Sequence, residues 1–234
     1  MAATIRRPEA ATPERISRFD TVERAVHWVN ATLFLVLIVT GAALYLEPLG
    51  ALIGRRELVQ DIHLYCGLAL PVPVIVAAAG YWGRFFRRDL RRLNRWSLND
   101  KKWLARALRG HYPLPRSLVA GVGKFNAGQK LNAAFVAGSG LVMLGTGLIM
   151  HWYHPWPLGW RTGATFVHDW LAIAIGLVVI GHVGMALRDP DALRSMFGGT
   201  ISRSWAEAHA PRWVKEIDSV RAAVETGSTS RRRA

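Results

Sequence analysis

Cysteine is almost absent: the 234 residues contain one, Cys66. A disulfide framework, a cysteine-ligated zinc site and an iron–sulfur cluster held by this chain alone are excluded, because each needs several thiolates. Acidic residues are also scarce, with 16 Asp plus Glu against 30 Lys plus Arg and a net charge of +14. Charge is missing altogether from long stretches. The mean hydropathy is +0.15 although 20% of residues are charged, so charged and apolar residues are segregated along the chain. No repeat of fixed period is visible, which argues against a solenoid, and the length allows one domain.

What is present are four apolar runs, approximately 25–46, 62–82, 131–152 and 164–187. Each suffices to cross the ~30 Å hydrocarbon layer, which takes about 20 helical residues. A soluble helical bundle fits poorly, because the stretch 31–46 carries no charge and is apolar all round rather than on one stripe. Trp28, Trp82, Trp152 and Trp170 sit near run ends, where amphipathic rings anchor at the interface. The first run is too long for a signal-peptide core and no small-residue cleavage site follows it. The expected fold is all-α: an integral membrane four-helix transmembrane bundle, with Pro71 and Pro73 bending the second helix. Residues 1–217 form this membrane domain, and 218–234 read as a disordered tail, 226–234 being poor in apolar residues.

Lys and Arg outside the runs number five in 1–24, two in 47–61, thirteen in 83–130, one in 153–163 and nine in 188–234. Alternate segments therefore hold 27 against 3, and cytoplasmic loops retain positive charge. Both termini and the basic loop 83–130 are expected in the cytoplasm of a multi-pass protein of the bacterial cytoplasmic membrane. Arg84 to Arg92 would lie along the inner membrane surface against anionic lipid. Nucleic-acid binding, the other reading of a pI near 11.1, is unnecessary once the positive-inside rule accounts for the charge.

Of eight histidines, His111 and His209 fall in cytoplasmic segments, and His151 and His154 at the outer end of the third helix. His27, His63, His168 and His182 lie inside the runs, where ionisable side chains are rare and usually functional. A lone intramembrane histidine is often only a hydrogen-bonding core residue; four together need a further reason. His27 lies near the inner end of the first helix and His63 near the outer end of the second. On the fourth helix His168 is near the outer end and His182 near the inner end. Their fourteen-residue separation makes about 3.9 turns and a rise of roughly 21 Å, so both present to nearly one face at different depths. The expected pairs are His27 with His182 and His63 with His168, each matching bis-histidine ligation of a haem iron. A zinc or copper path would usually add carboxylate or sulfur ligands, and the runs offer only Asp169 and Cys66. Small residues such as Gly41, Gly67, Gly147 and Gly181 leave room for a macrocycle, or equally allow close helix packing.

The stretches Arg24-Ala25-Val26-His27-Trp28, Asp61-Ile62-His63, Gly123 to Lys130 (GKFNAGQK), His168-Asp169 and Gly181-His182 carry a resemblance. So does the tail from Gly199-Thr200 through Trp205-Ala206 to Pro211-Arg212-Trp213. Over about 15–217 the chain resembles the cytochrome b (gamma) subunit of respiratory membrane-bound formate dehydrogenase, within the bacterial di-haem cytochrome b superfamily. The histidine pattern is shared by many di-haem cytochromes; the GKFNAGQK segment is much more specific.

The resemblance implies two haem b groups on the pairs already reached, and a quinone site at the cytoplasmic haem, to which Asn126, Gly128 and Gln129 match. Those residues read equally as a turn opening the third helix. It implies an iron–sulfur (beta) subunit and a molybdenum or tungsten catalytic (alpha) subunit on separate chains, with no formate chemistry on this one. Arg55, Arg56 and Arg161 are candidates for haem propionates or partner contacts, or are simply solvated. Three other readings remain open: a free-standing di-haem cytochrome b quinol oxidoreductase, a cytochrome b subunit of a hydrogenase or other molybdoenzyme, and a non-redox scaffold or transporter.

Overall fold

The structure is a computed structural model, described here over residues 14–231 except 112, with side chains to 226. A short strand β1 (Arg15–Ser17) precedes α1 (Thr21–Tyr45), α2 (Glu47–Ile53), α3 (Arg56–Ala69) and α4 (Val72–Ala79). A single 3-10 turn leads into α5 (Arg84–Asn94), α6 (Leu98–Leu108) and α7 (Arg116–Ala120). Then come α8 (Ala127–His151), α9 (Leu158–Arg188), α10 (Pro190–Gly198), strand β2 (Thr200–Ser202), α11 (Arg203–His209) and α12 (Pro211–Arg231).

Four stretches are long and apolar enough to span a membrane: α1, α3 with α4, α8 and α9. Two of them, α1 and α8, begin earlier than hydropathy suggests because polar capping boxes start them. Asp20 accepts the Glu23 N–H while Glu23 accepts the Asp20 N–H, and Asn126 and Gln129 do the same for α8. Such a capping box satisfies backbone donors that the first helical turn leaves open. The second span is bent as expected: α3 gives way to α4 around Pro71 and Pro73, which lack the N–H an unbroken helix requires.

α1 packs on α3, and α8 on α9, as two hairpins that touch each other only lightly. Only 6–11% of the most apolar stretch of each span is buried by protein, so the bundle leaves apolar surface both to lipid and to the space between its hairpins. The four-span arrangement brings β1 and β2 to one end of the bundle. There β1 and β2 pair antiparallel, Ile16 opposite Ile201, over a small core of Ile16, Ile201, Ala206, Ala210, Trp213 and Val214. Gly199 turns the chain into β2 at φ 75°, and a Cβ there would meet Phe19 O at 2.6 Å, so glycine is required on both counts.

Two elements were not expected. The β1–β2 ribbon is too short to leave an alternating pattern, and α12 continues through 218–231, where a disordered tail was expected. Arg221, Ala222, Ala223 and Glu225 are good helix formers even without an apolar face. Residues 232–234 of that tail lie outside the described residues.

Candidate functional site

α9 carries one histidine to each of two cross-hairpin pairs. His27 of α1 stands opposite His182, ring centroids 6.2 Å apart and planes at 59°. His63 of α3 stands opposite His168 with centroids 6.3 Å apart and planes at 62°. Neither pair is in ring-stacking or hydrogen-bonding contact. A metal ion bound to two imidazole nitrogens at about 2 Å each would set the centroids about 6 Å apart, so both gaps suit a single axially ligated iron. Among the described residues no group of three His, Cys, Asp or Glu gathers as a metal site.

The second-span pair shows how its rings are set. Thr40 Oγ1 donates to Val36 O at 2.7 Å and lies 2.8 Å from His63 Nδ1. Thr146 Oγ1 donates to Val142 O at 2.8 Å and lies 2.9 Å from His168 Nδ1. Each hydroxyl proton is spent on the helix carbonyl, so each imidazole must donate its Nδ1–H to the threonine. That tautomer leaves the Nε2 lone pair free to bind a metal, while the hydrogen bond at Nδ1 fixes the ring's orientation. Beside each ring is a glycine: a Cβ on Gly41 would sit 3.4 Å from His63 Cε1, and one on Gly147 3.5 Å from His168 Cε1. Thr40-Gly41 and Thr146-Gly147 thus serve the two rings alike. The recurring Thr-Gly dipeptide was a legible signal for the threonines, which sequence reasoning passed over.

At the other end of the spans, where β1, β2 and the basic segments lie, His27 and His182 have no hydrogen-bonding partner on their rings among the described residues; Trp28 meets His27 edge-on at 5.2 Å. His182 is exposed to the space outside the protein, whereas the other three are half-buried. This basic end is tied by buried ions. Lys124 contacts Asp89 and lies 3.7 Å from Glu23, and burial pushes its ammonium pKa down against the pull of both carboxylates. Lys130 pairs with Asp100 at 2.8 Å and also donates to Arg95 O.

Asn126, Gly128 and Gln129 come together at this end. Phe125 packs 6.3 Å from Phe19, just ahead of the turn that leads to His27. Asn126 Oδ1 accepts the Gln129 N–H at 2.9 Å and Gln129 Oε1 accepts the Asn126 N–H at 3.0 Å. The box consumes both side-chain oxygens and leaves both amide NH2 groups as donors. Gly128 is bordered by Trp103 of α6, 3.5 Å from a would-be Cβ. At the opposite end, Arg56 donates to Leu44 O and Arg161 lies over the Tyr153 ring at 4.9 Å; neither reaches a histidine.

A membrane bundle whose hairpins present facing imidazoles 6.2 and 6.3 Å apart has the features of a membrane-bound cytochrome. The chain belongs to the prokaryotic cytochrome b561 family, whose profile matches residues 18–199, and is a multi-pass membrane electron-transfer protein that carries haem b. It is 26% identical over 219 residues to the nitrate-inducible formate dehydrogenase cytochrome b556(Fdn) subunit of Escherichia coli (strain K12), covering 90% of this chain and 95% of that one. It is 27% identical to the formate dehydrogenase cytochrome b556 subunit of Haemophilus influenzae, over 89% of this chain and 86% of that one. The Escherichia coli cytochrome b556(fdo) subunit of formate dehydrogenase is 25% identical, over 87% and 94%.

Proposed function

We propose that this chain is the membrane electron-transfer subunit of a formate dehydrogenase complex, holding two haem b groups and delivering electrons to a quinone. The observation that carries this reading is the pair of equal imidazole gaps, 6.2 and 6.3 Å, strung at two depths along α9. His27 and His182 hold one haem and His63 and His168 the other. Bound haem supplies one-electron transfer; the chain supplies the ligands, their tautomers and their spacing in depth. Nearly full-length similarity to formate dehydrogenase subunits supports a partner iron–sulfur subunit as electron source and a separate molybdenum or tungsten catalytic subunit.

The 27 to 3 partition of Lys and Arg supports a cytoplasmic location for the basic end and both termini. Quinone reduction then belongs beside His27 and His182, where the NH2 groups of Asn126 and Gln129 can donate to quinone carbonyls and Gly128 leaves the backbone accessible. Electrons cross from the outer to the inner end while protons are taken up on the inner side, so each turnover moves charge across the membrane. A pyridine haemochrome assay on the purified chain tests the reading: two haems per polypeptide are expected, and one would refute the paired assignment.

A further inference from the structure

Quinone reduction consumes protons as well as electrons, and a buried carboxyl at the basic end is placed to carry them. Glu23, in the first turn of α1, is 9% exposed. Its Oε2 accepts the Asp20 N–H at 2.8 Å. Its Oε1 is buried without a hydrogen-bond partner, 3.7 Å from Lys124 Nζ. Lys124 is committed to Asp89 Oδ2, and Arg92 holds the other Asp89 oxygen at 3.2 Å. Lys124 joins the two carboxylates, contacting Asp89 Oδ2 and lying 3.7 Å from Glu23 Oε1, and a proton on Oε1 would convert an orphan acceptor into a donor beside them. A carboxylate kept only to cap α1 needs one oxygen; the second is buried, faces Lys124 and accepts no hydrogen bond.

The location is as informative as the bonding. Glu23 precedes His27 by four residues and so shares its helix face, about 6 Å below it. Lys124 lies two residues before Asn126. On its other side Lys124 lines a cavity of about 350 Å³ with Arg88, Arg92, Arg95, Lys130 and Glu216, polar and large enough to admit water. Lys124 thus stands between this cavity and Glu23, which lies four residues before His27 on α1. The charged groups facing Glu23 are Asp20 on its own turn, Asp89 and Arg92 from α5, and Lys124; buried Arg18 is coupled electrostatically to Asp89 behind them.

We infer that Glu23 is the proton-loading residue of the quinone site, partnered by Asp89 and Lys124 and refilled through the basic cavity. The inference rests on the quinone reading given above. A quinone accepts two electrons, supplied by the partner iron–sulfur subunit, and two protons, each forming an O–H bond at a former carbonyl oxygen. Glu23 gives up one proton per passage and regains one from cavity water, so two passages complete one quinol and leave the residue unchanged.

Glu23→Gln keeps the acceptor for the Asp20 N–H but has no acidic proton. In the intact complex supplied with formate, it should leave haem reduction and the quinone KM as in wild type. Quinol formation should slow by at least about tenfold, toward the 10² typical of lost acid–base catalysis, with a flattened pH profile and partial recovery in Glu23→Asp. Asn126→Ala should instead raise the quinone KM. An unaltered KM in Asn126→Ala defeats the quinone reading; a raised KM there with wild-type quinol formation in Glu23→Gln at every pH defeats the role of Glu23 alone. If Glu23→Gln does not assemble, redox-difference infrared spectroscopy of the wild-type complex decides. A protonated-carboxyl band should vanish during quinone reduction and shift in Asp89→Asn, and its absence would overturn the inference.

Discussion

At one end of the bundle His63 and His168 each lean on a threonine whose own proton is spent on the helix behind it. At the other, His27 and His182 hold the same separation with no hydrogen bond to either ring among the described residues. The ends also differ in their surroundings. Every ion pair among the described residues lies at the basic end, together with the β1–β2 core, while the charges of the far end, such as Arg56 and Arg161, form none. Equal ligand geometry is therefore reached by two means: local side-chain bonds orient the far rings, and the packing of α1 against the ionic network positions the near ones. Only the near pair shares its end of the bundle with buried ion pairs.

The largest expected effect separates the pairs. His27→Ala or His182→Ala should abolish the near haem signal in a reduced-minus-oxidised spectrum and spare the far one, and His63→Ala or His168→Ala the reverse. Loss of the same component on replacing His27 and His63 would dissolve the pairing.

A smaller effect tests whether ions hold only the basic end. Burial opposes the Asp100 charge, but hydrogen bonds from Lys130 and Ser97 outweigh it and keep its pKa below the ordinary carboxylate value. A depressed carboxylate pKa contributes stability above the unfolded-state value, near 3.9, and that contribution is lost as pH falls through the folded value. Asp100→Asn strands Lys130 and should destabilise the α6–α8 contact by about 3 kcal/mol at pH 7, converging on wild type at low pH. Limited proteolysis within 95–126 would report it, while the far haem spectrum should not change.

The smallest effect concerns the threonines. Thr40→Val or Thr146→Val removes a neutral hydrogen bond worth about 0.5–1.5 kcal/mol. If that bond favours one oxidation state, redox titration should show the far haem displaced by roughly 20–60 mV, at about 59 mV per tenfold for one electron, with the near haem unmoved. A shift of both would mean the threonines act through the whole bundle rather than on single rings.

Much of this was legible from residue order. Charge-free runs dictate spans because no other backbone arrangement satisfies its hydrogen bonds in hydrocarbon at that length, and fourteen residues of helix put His168 and His182 on one face at two depths. Asn126 and Gln129 read in sequence both as a helix start and as a ligand site; the capping box shows their oxygens serving the helix start. Thr40 and His63 are 23 residues apart on different helices, so only the packing of α1 on α3 sets them in register. Glu23, Asp89 and Lys124 come from three segments and look in sequence like ordinary interfacial charges. Periodicity and hydropathy are properties of local chain and solvent and can be read along it. Which carboxylate is left with a buried oxygen that accepts no hydrogen bond depends on distances between helices, and only the tertiary structure decided that.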